Sequence, residues 1–150
     1  MKFGITTIYL ALAFFSISLL KNQAAAQLSQ CKAELKNDTF VLENSKLKRT
    51  FLWNKGALQH FNLFNKIKNQ LISGTGVPGK SEVCFPGINA KTVNGSFRFY
   101  NAPATNAGYE YLAAEVIADL GTLHLKNNFR IYADCPAIVC DYNIRGKTGD

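Results

Sequence analysis

The chain has 150 residues, with 17 Lys or Arg against 10 Asp or Glu, and a formal net charge of +7. The basic residues are scattered singly along the sequence and form no dense tract, which argues against a nucleic-acid-binding groove and favours a solvated basic face. The length fits one modest domain or part of a larger one, and leaves no room for a second domain.

The N-terminus has the features of a cleavable export signal. Lys2 supplies a positive start, Ile5 to Leu20 carry no charge, and residues 24–26 are small alanines of the kind that a signal peptidase reads. This apolar stretch is shorter than the roughly 20 residues that span a bilayer, and no stop-transfer cluster of charges follows it. We therefore predict a signal peptide over residues 1–26 and cleavage before Gln27.

Cleavage would leave residues 27–150 as one exported domain, periplasmic or extracellular, with no membrane association. Removing Lys2 and Lys21 from the 17 basic residues leaves 15 against 10 acidic ones, a mild net charge of +5. Export argues further against a nucleic-acid partner.

Four cysteines in an exported chain suggest disulfides, for which three pairings exist. Cys135 and Cys140 would lie about 16 Å apart in an extended segment, so they can bond each other only if Pro136 starts a tight turn. A link between Cys31 and Cys84 is conceivable. The pairing stays open at this point.

Past the signal, apolar residues recur with a period near two, which indicates strands with one face in a core. Phe97 and Phe99, for example, alternate with Arg98 and Tyr100. Asn- and Gly-containing pairs between the apolar runs indicate hairpin turns, at 37–38, 44–45, 54–56, 94–95 and 127–128. We predict an all-β antiparallel sandwich with strands at 33–36, 39–43, 47–53, 57–64, 70–72, 82–85, 96–102, 109–119, 121–126, 129–133 and 137–145.

Residues 111–120 are ambiguous between helix and strand. Their alanines favour a helix. The β-branched pair Val116 and Ile117, together with the strands on either side, favours a strand, and we predict a strand.

Residue patterns for catalysis or metal binding are weak. The chain has no GxSxG elbow, and His60 and His124 are its only imidazoles, so a hydrolase triad is not predicted. None of the ten acidic residues stands in a context that singles out a glycosidase pair. With no CxxC spacing we predict no metal site and no cofactor, and we assign no catalytic residue.

Aromatic side chains offer another kind of site, because the C–H faces of sugar rings pack on aromatic rings. Most of these aromatics fall on alternating strand positions, so core packing is the favoured interpretation. Trp53 is the best single candidate for carbohydrate binding, because it ends a strand beside the turn at 54–56, but we expect it to pack first. The candidates are Phe51, Trp53, Tyr100, Tyr109, Tyr111 and Tyr142.

Two segments carry a family resemblance. Residues 37–58 read NDTFVLENSKLKRTFLWNKGAL and residues 129–138 read FRIYADCPAI. This pattern resembles the opening of the N-terminal domain of bacterial, Bacteroidetes-type α-galactosidase-like enzymes, similar to family 36 glycoside hydrolases. The likeness spans most of residues 33–146 and is a diffuse strand pattern without a catalytic signature.

The resemblance implies a β-supersandwich placed before a (β/α)₈ barrel that holds two catalytic aspartates. The barrel is not in this sequence, so no catalytic residue can be transferred to any position here. The implied role is the non-catalytic N-terminal portion, truncated here, of an exported glycoside hydrolase acting on α-galactosides. The galactoside would then be bound through the missing catalytic domain.

Two other classes stay open. One is a stand-alone carbohydrate-binding or adhesin-like sandwich, and the other is a small ligand-binding barrel of lipocalin type. A sandwich without all its strands would leave an apolar face at the last strand uncovered, so we also expect self-association of residues 27–150. A homo-oligomer is therefore an open alternative to a monomer.

Overall fold

The computed structural model describes residues 24–74 and 94–146, and their regular secondary structure is entirely β. Within these residues ten strands form two antiparallel sheets, one in the order β1-β2-β3-β4-β5-β6 and the other in the order β10-β9-β8-β7. The predicted all-β antiparallel sandwich is confirmed. The strands are β1 (Ala24–Leu28), β2 (Cys31–Lys36), β3 (Thr39–Glu43), β4 (Leu47–Asn54), β5 (Ala57–Asn65), β6 (Gln70–Ser73), β7 (Asn94–Ala102), β8 (Tyr111–Asp119), β9 (Leu123–Ile131) and β10 (Ile138–Gly146).

Some sequence predictions fall outside the described residues. These are the strand at 82–85, Cys84 and the body of the signal peptide. Strand β1 begins at Ala24, so three of its five residues precede the predicted cleavage site at Gln27. Its register pairs Ala24 with Leu35 and Leu28 with Cys31.

Two tight hairpins occur where the sequence predicts them. Asn37 and Asp38 have φ angles of 48° and 56°, and Lys55 and Gly56 have φ angles of 50° and 96°. Left-handed conformation at both central residues is the hairpin geometry whose twist matches that of the flanking strands. These turns join β2 to β3 and β4 to β5, which pair as antiparallel hairpins.

The predicted turn at Asn127 and Asn128 is wrong, because both residues lie inside the continuous strand β9. Asn127 is buried against the core, and Asn128 pairs with Glu115 on one side and Asp141 on the other. Strands on both sides of β9 supply the backbone hydrogen bonds that a local turn would otherwise have provided.

The predicted turn at Asn94 and Gly95 is also wrong, because these residues begin β7. A Cβ atom at Gly95 would lie 1.9 Å from the carbonyl oxygen of Lys55. Glycine is therefore required by the close approach of the β4–β5 turn to β7, and a hairpin bend is not the reason for it.

The segment that is ambiguous between helix and strand forms β8, which runs from Tyr111 to Asp119. The strand prediction is confirmed. Strand β8 lies between β7 and β9, and Ala113, Ala114 and Glu115 are all buried. Consecutive buried residues hide the alternating pattern in this part of β8, which explains why its sequence is ambiguous between helix and strand.

Aromatic rings join the two sheets in the core. The Phe40 ring on β3 lies with its centroid 5.8 Å from Phe51 on β4, 5.8 Å from Phe99 on β7 and 6.0 Å from Phe129 on β9. All four point into the space between the sheets. Rings at these separations pack favourably in tilted arrangements as well as burying apolar area.

Asn44 forms a polar clamp between the sheets at the β3–β4 connection. It is 1% exposed, and its Nδ2 donates to the carbonyl oxygens of Tyr132 and Cys135, both at 2.8 Å. Its Oδ1 accepts from the backbone N–H groups of Lys46 and Leu47, both at 2.9 Å. One side chain thus closes its own turn and ties it to the segment after β9.

We predict that Asn44→Ala lowers the free energy of unfolding. The change leaves two partly buried carbonyl oxygens without their donor and should cost about 2–4 kcal/mol. Urea denaturation followed by circular dichroism measures the loss. Asn54→Ala, at the exposed end of β4, is the control and should stay within about 0.5 kcal/mol of the parent chain. Equal stability of the two variants would contradict the clamp.

The edge of the smaller sheet is open among the described residues. Strand β10 pairs with β9 on one side only, and Ile144, on the face that carries Ile138 and Cys140, is 52% exposed. Exposed strand edges with apolar side chains favour pairing with a second chain. The structure thus has the geometry on which the expectation of self-association rests.

We predict that the chain self-associates as its concentration rises, and that Ile144→Lys shifts it toward the monomer by placing a charge on the edge strand. Light scattering over a concentration series measures the effect. Leu52→Lys adds the same charge on the central strand β4 and should leave association unchanged. A parent chain that stays monomeric at every concentration would contradict this prediction.

Candidate functional site

The solvent-facing side of the smaller sheet, which we call the outer face, carries a row of polar side chains. In the strand register Arg98 pairs with Glu115, Glu115 with Asn128, and Asn128 with Asp141. The core-facing positions of β8 are Leu112, Ala114 and Val116, so the alternate residues point outward. The row therefore crosses all four strands.

Glu115 lies at the centre of this row and is only 8% exposed. Arg98 Nε donates to Glu115 Oε2, Lys126 Nζ lies 3.0 Å from Oε1, and the Tyr100 hydroxyl donates to Oε1 at 3.1 Å. Three donors from three different strand positions therefore surround one carboxylate.

These donors set the ionisation of Glu115. The hydrogen bond from Arg98, with those from Lys126 and Tyr100, lowers the pKa of Glu115 to about 2 despite the opposing effect of burial. Burial and the adjacent carboxylate raise the pKa of the Tyr100 hydroxyl. Glu115 is therefore ionised at neutral pH and cannot serve as a general acid there.

A second ion pair extends the row toward the sheet edge. Arg130 Nη2 donates to Asp141 Oδ2 at 2.7 Å. Asp141 and Glu115 lie two strands apart, about 10 Å between backbones. Each carboxylate is thus occupied by a cationic partner, which favours a fixed binding surface over acid and base catalysis.

Tyrosines occupy one end of the outer face. The rings of Tyr111 and Tyr132 have centroids 5.4 Å apart, and the Arg98 guanidinium carbon lies 5.1 Å from the centroid of Tyr100. Tyr109, in the β7–β8 connection, is 85% exposed. The outer face therefore combines aromatic rings with the fixed ion pairs.

The aromatic candidates from the sequence are divided between two places. Tyr100 and Tyr111 lie on the outer face, whereas Phe51 is fully buried in the core. Tyr142 lies on β10 at a core-side position and remains half exposed. Only part of the sequence-derived set is thus brought together.

Trp53 packs against the core. Its ring makes an edge-on contact with Phe97, with centroids 5.5 Å apart, and its backbone N–H donates to the carbonyl oxygen of Asp38 at 2.8 Å. It is half-buried and faces away from the outer face of the smaller sheet. This is the position of a packing residue, and carbohydrate binding by Trp53 stays a prediction.

A shallow pocket of about 440 Å³ adjoins the ion-pair row on the outer face. Its floor includes Ile117 of β8, and the basic side chains and amide come from β9 and β10. Its lining consists of Ile117, His124, Lys126, Asn143 and Arg145.

Sequence reasoning missed the Glu115 cluster. The alternation did place Arg98 and Tyr100 on one face of a strand, but Glu115 lies in the segment with helix-like composition. A prediction that β7, β8 and β9 are neighbours would have been needed to find the cluster, because Glu115 lies on β8 and its donors come from β7 and β9.

The described residues contain no cluster of metal ligands and no helix that could cross a membrane. Within residues 24–74 and 94–146, no three His, Cys, Asp or Glu side chains come close enough to hold a metal ion. The same part of the chain has no helix with the length and hydropathy needed to cross a bilayer.

Comparison of the chain with protein-family models, with curated proteins and with solved structures finds no match in any of the three. Function is therefore inferred from the geometry and chemistry of the residues themselves.

We predict that the Glu115 cluster stabilises the fold in a pH-dependent way. Because the folded-state pKa is depressed from 4.5 to about 2, the stabilisation is present above pH 4.5 and is lost as the pH falls toward 2. A shift of this size corresponds to at most about 3 kcal/mol. Urea denaturation between pH 2 and pH 7 measures it.

Glu115→Gln should lower stability at pH 7 and flatten the pH dependence over that range, since glutamine does not ionise. Glu110→Gln, at an exposed position before β8, is the matched control and should retain the slope of the parent chain. Parallel pH profiles for the parent and Glu115→Gln would contradict the role of the cluster.

Proposed function

We propose that this chain is a non-catalytic β-sandwich that contacts carbohydrate through the outer face of its smaller sheet. The observation that supports this most is that tyrosine rings and ion pairs of fixed geometry lie together on one open sheet face. Tyr100 belongs to both parts, since its ring is partly exposed and its hydroxyl donates to Glu115.

Sugar recognition needs the two kinds of group found there. The apolar C–H face of a pyranose packs on an aromatic ring, and its hydroxyl groups need donors and acceptors held at set positions. Side chains already fixed by Arg98–Glu115 and Arg130–Asp141 pairing lose little further freedom on binding. The outer face is therefore suited to hold a sugar without large rearrangement.

The wider setting of the proposal comes from the family resemblance. It supports an exported chain that forms the N-terminal sandwich of a glycoside hydrolase acting on α-galactosides, with catalysis in a barrel outside this sequence. The ionised, cation-paired state of Glu115 agrees with a non-catalytic role.

A stand-alone carbohydrate-binding module is the second candidate. The observation in its favour is that both sheets contribute rings to one continuous core around Phe40, including Phe51 from β4 and Phe129 from β9. Cooperative two-state unfolding of a monomer would favour this candidate over a fragment of a larger sandwich.

We predict that Tyr100→Ala weakens binding of the chain to a galactan by about tenfold, in line with the loss of roughly 1.4 kcal/mol of ring stacking. Affinity electrophoresis in gels containing galactan measures this. Tyr100→Phe keeps the ring and loses the hydroxyl, so it should retain most of the binding.

Leu52→Ala, on the exposed side of the larger sheet, is the control and should bind as the parent does. Thermal unfolding of each variant separates lost binding from lost folding. The proposal would be refuted if galactan in the gel slowed Tyr100→Ala as much as it slows the parent chain, or if the parent chain did not bind galactan at all.

A further inference from the structure

The pocket on the outer face is built from two adjacent rows of the strand register. Ile117, Lys126 and Asn143 form one row across β8, β9 and β10. His124 and Arg145 belong to the next row and pair with each other. Because strand pairing fixes the spacing of these rows, the backbone positions of the five residues are set without a ligand.

The lining of this pocket has one sign of charge. Lys126 and Arg145 are cationic, His124 adds an imidazole, and no carboxylate is among the lining residues that the structure describes. The nearest acids stand at its border, where Glu115 contacts Lys126 at 3.0 Å and Asp119 lies 3.6 Å from His124. Arg145 makes no ion pair with any residue in the described part of the chain.

The remaining lining residues fit a sugar. Ile117 is a partly exposed apolar surface against which ring C–H groups can pack, and the Asn143 amide can both donate to and accept from hydroxyl groups. A volume of about 440 Å³ lies within the range of small-ligand sites, 300–1,000 Å³. Size and polarity together suit one sugar unit of a chain that continues along the sheet.

We infer that this pocket binds the anionic group of an acidic sugar, a carboxylate or a sulfate ester, with Arg145 and Lys126 as its cationic contacts. The inference rests on the proposed function and deepens it by naming the ligand class. A guanidinium presents paired donors that match the two oxygens of a carboxylate or sulfate. The sugar ring would lie over Ile117, with its hydroxyl groups toward Asn143.

The test compares polymers that differ in charge and share a sugar configuration. Isothermal titration of the full chain with polygalacturonate and with uncharged galactan should show at least tenfold tighter binding of the acidic polymer. Dextran sulfate against dextran distinguishes a sulfate from a carboxylate as the recognised group. Rising salt should weaken binding of the acidic polymers and leave the neutral ones nearly unchanged.

Arg145→Gln should lower the affinity for polygalacturonate by about tenfold and leave galactan binding as it is. Lys36→Gln removes the same charge at an exposed position on the larger sheet, so it controls for attraction by overall net charge. Asn143→Ala serves as a second variant and should weaken the binding of both polygalacturonate and galactan.

The outcomes separate the two proposals. Equal binding of the charged and uncharged polymers, or unchanged polygalacturonate binding by Arg145→Gln, overturns this inference and leaves the proposed function standing. Absence of binding to every polymer by the parent chain overturns both. A third outcome is tight polygalacturonate binding that Arg145→Gln weakens and Tyr100→Ala leaves unchanged. This result supports anion binding in the pocket and refutes the role of Tyr100.

Discussion

Contact of Phe40 with rings from both sheets is the interaction on which the rest of the structure depends. Its side chain is fully buried, and its neighbours come from the adjacent strand β4 and from β7 and β9 of the facing sheet. Removing this ring would leave a cavity where the two sheets meet, at a cost of about 3–5 kcal/mol. The packed rings hold the sheets face to face, and the Asn44 clamp joins them at one end.

This packing also decides which side of the smaller sheet meets solvent. Once Phe97, Phe99 and Phe129 point inward, the alternate residues of the same strands must point outward. The outer face therefore collects Arg98, Tyr100 and the neighbours of Glu115 as a direct consequence of core formation. A one-residue slip in register would exchange the two sets, so the site and the core depend on the same pairing.

The burial of Glu115 on a solvent-facing sheet surface shows how charge can be accommodated in a strand. An ionised carboxylate with so little exposure is stable only because Arg98 and Lys126 supply opposite charge and Tyr100 supplies a neutral donor. The same contacts hold the donors in place. Fixed side chains beside a basic pocket make this face better suited to binding than to proton transfer.

The sequence by itself determined the β class, the two hairpin turns with left-handed residues and the alternation that puts Phe97 and Phe99 on one face of their strand. These features are local, since alternation and turn chemistry depend on neighbouring residues in the chain. The family resemblance, the export signal and the carbohydrate role rest on the sequence as well, and they stay predictions.

Only the tertiary structure decided the rest. Asn127 and Asn128 read as a turn but lie within β9, because strands on both sides satisfy their backbone groups. Glu115 gains its partners, and Asn44 its contacts to Tyr132 and Cys135, from segments that are distant in sequence or on other strands. Such contacts depend on which strands become neighbours, and local patterns of polar and apolar residues carry no information about strand order.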